Sequence, residues 1–79
     1  FTDSGLQLIS DHLDNLEVLN LCETLVTSQG ILCLASLKNL RIVNLNSTAV
    51  SLSDYEKLKE LLPNLTDVDV KYTDADLSC

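Results

Sequence analysis

Seventy-nine residues make one small domain at most, and a globule of that size has a marginal core by surface-to-volume scaling. Twelve acidic against five basic side chains leave a net charge of −7, a field that repels phosphate backbones and anionic lipid surfaces and so argues against nucleic acid and membrane partners. Hydrophobic residues are 46% of the chain but aromatics only 4%, so leucine carries the apolar volume and thin, regular layers are expected.

The chain opens with "FTDSGLQLISDHL", predicted as a helix begun by hydroxyl residues that can accept bonds from the orphan amides of its first turn. His12, the single histidine, falls near the end of this helix between Asp11 and Asp14. There it reads as an exposed residue rather than as half of a catalytic pair with Cys22 or Cys33.

Next comes "NLEVLNLCET", a strand in which Leu19 and Leu21 point inward while Val18, Asn20 and Cys22 point outward, by the period-two alternation of extended backbone. Cys22 would then lie on an open face, where a thiol can contact a partner or stay solvated. "TSQGILCLASL" follows as a second helix with Cys33 in its apolar run, expected to be a small core residue. The strand line returns as "NLRIVNLNST", presenting Ile42, Asn44 and Asn46 outward.

A third helix, "SLSDYEKLKELL", places Tyr55, Leu58, Leu61 and Leu62 on one face, with a capping box expected between Ser53 and Glu56 and a stop at Pro63. Tyr55 within "YEKL" is expected to pack rather than to serve as a sorting or modification signal. Gly5 and Gly30 occupy equivalent places near helix starts, where Asp54 stands in the third unit, and a close approach is expected there. The last strand, "NLTDVDVKYT", turns Asp67, Asp69 and Lys71 outward. Paired carboxylates can hold a cation or move a proton, but no third ligand or glycine turn accompanies these two, so a charged rim is expected and no metal, cofactor or catalytic residue is assigned.

Superposed, the copies align Leu13, Leu37 and Leu62; Leu16, Leu40 and Leu65; Leu19, Val43 and Val68; and Leu21, Leu45 and Val70, each closed by Thr24, Thr48 or Thr73. The pattern L-x-x-L-x-x-L-x-L-x-x-T resembles the leucine-rich-repeat family, with threonine where asparagine or cysteine is usual. The implied fold is an α/β solenoid of about three repeats, with a short parallel sheet on the concave side and helices on the convex side. Its parts would be a partial unit over 1–13, repeats over 14–37 and 38–62, and a terminal unit over 63–79. The opening segment reads as starting inside a repeat, and residues 67–78 read as a cap closing a longer array. The threonines are expected to form a ladder of hydroxyls satisfying the turns.

Cys22, Cys33 and Cys79 lack paired metal or redox spacing and fit free thiols in a reducing compartment. No apolar run approaches a membrane span, and "FTDSGL" lacks the regions of a signal peptide, so an intracellular location is expected. The turns "ETLVTSQGI" and "FTDSGL" resemble those of intracellular leucine-rich repeats, including the repeats of F-box substrate receptors. A narrower resemblance, carried by "LNLCET", "LNSTAVSLSDYEKLK" and "LPNLTDVDVKYTDA", is to the C-terminal repeats of the C-Maf-inducing protein family; the ending "DADLSC" departs from it. That resemblance implies a non-enzymatic signalling adaptor, cytoplasmic and nuclear, whose protein partners include kinases or transcription regulators.

The functional expectation is a protein-binding face made of Val18, Asn20, Cys22, Ile42, Asn44, Asn46, Asp67, Asp69 and Lys71. Val18 and Ile42 should stand side by side, an apolar pair ringed by polar groups. The alternatives are substrate recognition in an F-box-type ubiquitin ligase receptor, or a purely structural capping segment.

Overall fold

In the computed structural model, residues 1–75 are described; Cys79 and the end of the expected 67–78 cap lie outside them. The order is α1 (Asp3–His12), β1 (Val18–Asn20), α2 (Ser28–Cys33) continued by a 3-10 turn (Leu34–Ser36), β2 (Ile42–Asn44), α3 (Leu52–Leu61) and β3 (Asp67–Asp69). The three strands form one parallel sheet in the order β1-β2-β3. Helices α2 and α3 each cross back between two parallel strands, as that pairing requires, and α1 precedes the first strand.

The register is the sequence period turned into space. Val18 pairs with Ile42 and Ile42 with Asp67; Leu19 with Val43 and Val43 with Val68; Asn20 with Asn44 and Asn44 with Asp69. One sheet face carries Leu19, Val43 and Val68 toward helices α1 to α3, which pack side by side, α1 on α2 and α2 on α3. The core between these layers is nearly all leucine and valine: Leu6, Ile31, Leu34, Leu37, Leu40, Leu45, Val50, Leu58 and Leu62 are fully buried. Each such side chain is worth about 1.5–3 kcal/mol on leaving water.

The step from β1 to β2 is one residue shorter than that from β2 to β3, and the shortfall is absorbed between them. There α2 gives way to the 3-10 turn after Cys33, whereas α1 and α3 stay α-helical over ten residues each. A 3-10 turn rises about 2.0 Å per residue against 1.5 Å in an α-helix, so fewer residues cover the same distance.

The helix starts are joined by carboxylates that reach between units. Asp3 accepts from the Thr27 amide at 2.7 Å and from the Thr27 hydroxyl at 2.5 Å, thereby tying the residue that precedes α2 to the start of the neighbouring helix. A side chain at Gly30 would collide with that same carboxylate, which is the close approach expected of this glycine. Asp54, at the glycine's equivalent position, accepts from the Ser28 hydroxyl and closes a capping box with Ser51. The box expected between Ser53 and Glu56 thus lies two residues earlier, because Ser51 takes the extended cap conformation and Ser53 is already inside the helix.

At the ends of the strands the threonine ladder is present as expected: Thr24, Thr48 and Thr73 donate their hydroxyls to the carbonyls of Leu21, Leu45 and Val70 at 2.8, 2.7 and 2.6 Å. Each threonine follows a residue with positive φ: Glu23 at 59°, Ser47 at 57° and Tyr72 at 61°. Non-glycine residues enter this region only at a cost, so the hydroxyl bond helps hold a turn that the sequence does not advertise with glycine. Pro63 stops α3 as predicted. Tyr55 packs against the core with Lys59 Nζ 5.6 Å from its ring centroid. Leu61, expected on the same apolar face, is instead exposed, since the narrow core seam accepts Leu58 and Leu62 at i, i+4 and leaves i+3 at its rim.

Two outcomes are expected. Leu37→Ala should lower stability by about 2–5 kcal/mol in urea titrations, and Leu13→Ala, at the equivalent but half-open place, by well under half of that. The hydroxyl and amide of Thr27 hold the Asp3 carboxyl below its ordinary range, and the Ser28 hydroxyl does the same for Asp54. Because both folded values are depressed, their stabilisation is present above the unfolded carboxylate range near about 3.9 and is lost as pH falls through the folded values. Asp3→Asn and Asp54→Asn should therefore melt below the parent at pH 7, with the gap closing toward pH 3 in thermal scans.

Candidate functional site

The solvent face of the sheet is organised in rows running across the three strands. Val18, Ile42 and Asp67 form the first row in direct register, with Val18 57% exposed, Ile42 half-buried and Asp67 exposed. The side-by-side placement expected of Val18 and Ile42 is what the pairing produces. Asn20, Asn44 and Asp69 form the next row, and Cys22, Asn46 and Lys71 the one beyond, in the turns.

These rows are chemically unequal. Asn20 Oδ1 accepts from the Cys22 amide and Asn44 Oδ1 from the Asn46 amide, each at 2.9 Å, so both side chains brace their own turns. Asn46 is tied further: its Oδ1 accepts from the Lys71 amide at 2.8 Å and its Nδ2 donates to Asp69 Oδ2 at 3.0 Å. Lys71 Nζ lies 3.9 Å from the same Asp69 oxygen. The carboxylate of Asp69 is thus engaged by its neighbours, while Asp67 is exposed at the end of the apolar row. Val18, Ile42 and Asp67 remain as groups whose side chains do no evident structural work on this face.

One residue earlier in each strand segment lies a row that sequence reasoning passed over: Glu17, Arg41 and Thr66. Arg41 Nη1 donates to Glu17 Oε1 at 3.1 Å in an exposed ion pair worth little by itself. Together with Asn39, Pro63 and Asn64 these residues line an open depression of about 600 Å³. Its floor is stitched by asparagines, Asn39 Nδ2 donating to the Asp14 carbonyl and Asn64 Nδ2 to the Lys38 carbonyl at 3.5 and 3.2 Å. The signal for this ladder stood in the sequence, because Asn15, Asn39 and Asn64 open the three strand lines at the same spacing.

The sulfur and imidazole groups do not converge. His12 bonds the Leu8 carbonyl through Nδ1 at 3.0 Å at the end of α1, and Cys22 is an exposed free thiol in the turn after β1. Cys33, expected in the core, is half-buried instead and donates its thiol to Gln7 Oε1 of the neighbouring helix at 3.0 Å, because the tightening into a 3-10 turn starts at the next residue and leaves it facing the seam between α1 and α2. Among the described residues no group of His, Cys, Asp and Glu side chains is arranged to hold a metal ion, and no helix is long and apolar enough to cross a membrane. What the arrangement offers chemically is a firm, solvent-facing strip with an apolar centre and an acidic end.

Asn46→Ala should cost about 1–2 kcal/mol in denaturant titrations, since it removes two bonds between units, one of them part-buried, while Asn20→Ala, which frees one exposed amide, should cost about 1 kcal/mol or less. No protein-family model matches the chain, and no solved structure matches it at a significant level, so its function is read from the chemistry of this face.

Proposed function

We propose that this chain is a protein-interaction module built of leucine-rich repeats, acting without catalysis in an intracellular signalling adaptor of the cytoplasm and nucleus. The observation that carries the reading is the row Val18, Ile42 and Asp67: a solvent-facing β-branched pair on neighbouring strands, ending in a carboxylate that makes no ion pair among the described residues. Contiguous apolar groups on an exposed sheet are costly to keep wet, and a polar border confines their use to specific contact.

Rigidity supports the same reading. The asparagines beside the row are spent on holding its turns, so the strip is organised before a partner arrives and little ordering cost falls on binding. The chemistry suits a protein segment with an apolar anchor followed by a lysine or arginine. The net charge of −7 would speed the approach of a basic partner and make it sensitive to salt. A kinase or transcription regulator carrying such a segment is the partner class that the resemblance to the C-Maf-inducing protein family suggests.

The test uses the chain and the double variant Val18→Lys with Ile42→Glu, both shown folded by circular dichroism. A partner identified by capture and then purified should bind the parent at least about 100-fold more tightly than the variant, the equivalent of about 2.7 kcal/mol. Asp67→Asn should lower the on-rate and flatten its salt dependence. Equal binding of parent and double variant would remove the strip from consideration.

A further inference from the structure

The depression ahead of the strip is unevenly charged. The units place Asp14, Lys38 and Pro63 at one repeat position and Glu17, Arg41 and Thr66 at another, so the first unit is acidic here, the middle one basic and the third neutral. Lys38 and Arg41 are two of the five basic side chains in a molecule of net charge −7, both set at this end of the middle unit. A local cation of that kind draws an anionic group that the overall field would turn away.

Backbone bonds hold the row in line. The amides of Arg41 and Ile42 donate to the Glu17 carbonyl at 2.8 and 3.0 Å, and those of Thr66 and Asp67 to the Arg41 carbonyl at 3.0 and 3.2 Å. Arg41 therefore has Glu17 on one side and Thr66 on the other, each roughly one strand spacing, about 4.8 Å, away. Toward Glu17 the guanidinium is answered, Nη1 donating to Oε1 at 3.1 Å. Toward Thr66 it meets no carboxylate. Among the described residues the other guanidinium nitrogens have no hydrogen-bond partner, and the Thr66 hydroxyl makes no hydrogen bond.

The open depression of about 600 Å³ is lined by Arg41 together with Pro63, Asn64 and Thr66 of this unanswered side. Asp67, the next residue, is not part of the lining, so the acid of the strip does not occupy it.

We propose that the depression is a carboxylate subsite, in which the Arg41 guanidinium and the Thr66 hydroxyl receive an acidic side chain from the protein segment whose apolar anchor covers Val18 and Ile42. The inference rests on the reading of that strip as a binding face and adds a third element to the partner. The occupant is a carboxylate because this guanidinium already takes one from the first unit, and its planar fork has donors left for a second. The segment that fits carries an acid over Arg41, an apolar residue over Val18 and Ile42 and a base over Asp67. A segment laid the other way sets acid against Asp67 and base against Arg41, so the two charges fix its direction and register.

Selection of a random-sequence peptide library on the chain tests this. Enriched peptides should share an acidic residue at a fixed distance from an apolar residue and a lysine or arginine. With one such peptide synthesised, Arg41→Gln in the protein, or glutamine in place of the peptide's acid, should each weaken binding about 5- to 10-fold, and both together no more than either alone. Selection on Arg41→Glu should exchange the acid for a base. Arg41 is an exposed side chain, so both variants should keep the parent's circular dichroism. Peptides with the apolar and basic residues but no acid overturn the subsite and leave the strip standing, as does an acid whose replacement costs as much on Arg41→Gln as on the parent. Acid-dependent binding lost with Arg41→Gln but kept by Val18→Lys with Ile42→Glu upholds the subsite and removes the strip. No enriched peptide at all removes both.

Discussion

Everything in this molecule depends on burial between units rather than within them. A strand of three residues followed by a short helix has one apolar side and no means of covering it. Parallel pairing at the sequence period places Leu19 beside Val43 and Val43 beside Val68, and sets the three helices against one another over the same leucines. The middle unit, with a neighbour on each side, shows the result: Ile31, Leu34, Leu37, Leu40, Val43 and Leu45 are all buried to within about a percent. The first and last units are drier on the inside than on the flank for the same reason.

Polar groups follow that logic and fasten the junctions. Asp3 to Thr27 and Ser28 to Asp54 join helix starts, the Asn39 and Asn64 amides reach back to preceding carbonyls, and Asn46 clamps the third turn through Asp69 and Lys71. Each of these bonds spans 23 to 26 residues of chain but only one step across the sheet. Long-range order is thus supplied by contacts between nearest neighbours, and the turns with positive φ are held by local threonine hydroxyls.

That division of labour shapes the functional surface. Side chains needed for the junctions are unavailable for recognition, and the sheet face is narrowed to the few groups not so employed. Of the residues that the strand alternation places outward, Asn20, Asn44, Asn46 and Asp69 serve the scaffold first, while Val18, Ile42 and Asp67 make no side-chain hydrogen bond or ion pair among the described residues and form the face proposed for binding.

The sequence by itself determined the strand and helix positions, the parallel pairing, the neighbours on each face and the role of the threonines, because a fixed period combined with alternation leaves one consistent way to bury the leucines. Tertiary structure alone decided which equivalent positions were equal in practice. Leu13, Leu37 and Leu62 are the same letter at the same place in the pattern, yet the first is half-open, since burial belongs to the neighbouring unit and not to the residue. The shift of the capping box to Ser51 and Asp54, the half-burial of Cys33, the exposure of Leu61 and the engagement of Asn46 follow from contacts across units, or from a single-residue difference in length, that no local pattern encodes. The positive φ at Glu23, Ser47 and Tyr72 was hidden for a related reason: the bonds that hold these turns tolerate residues whose own preferences point elsewhere.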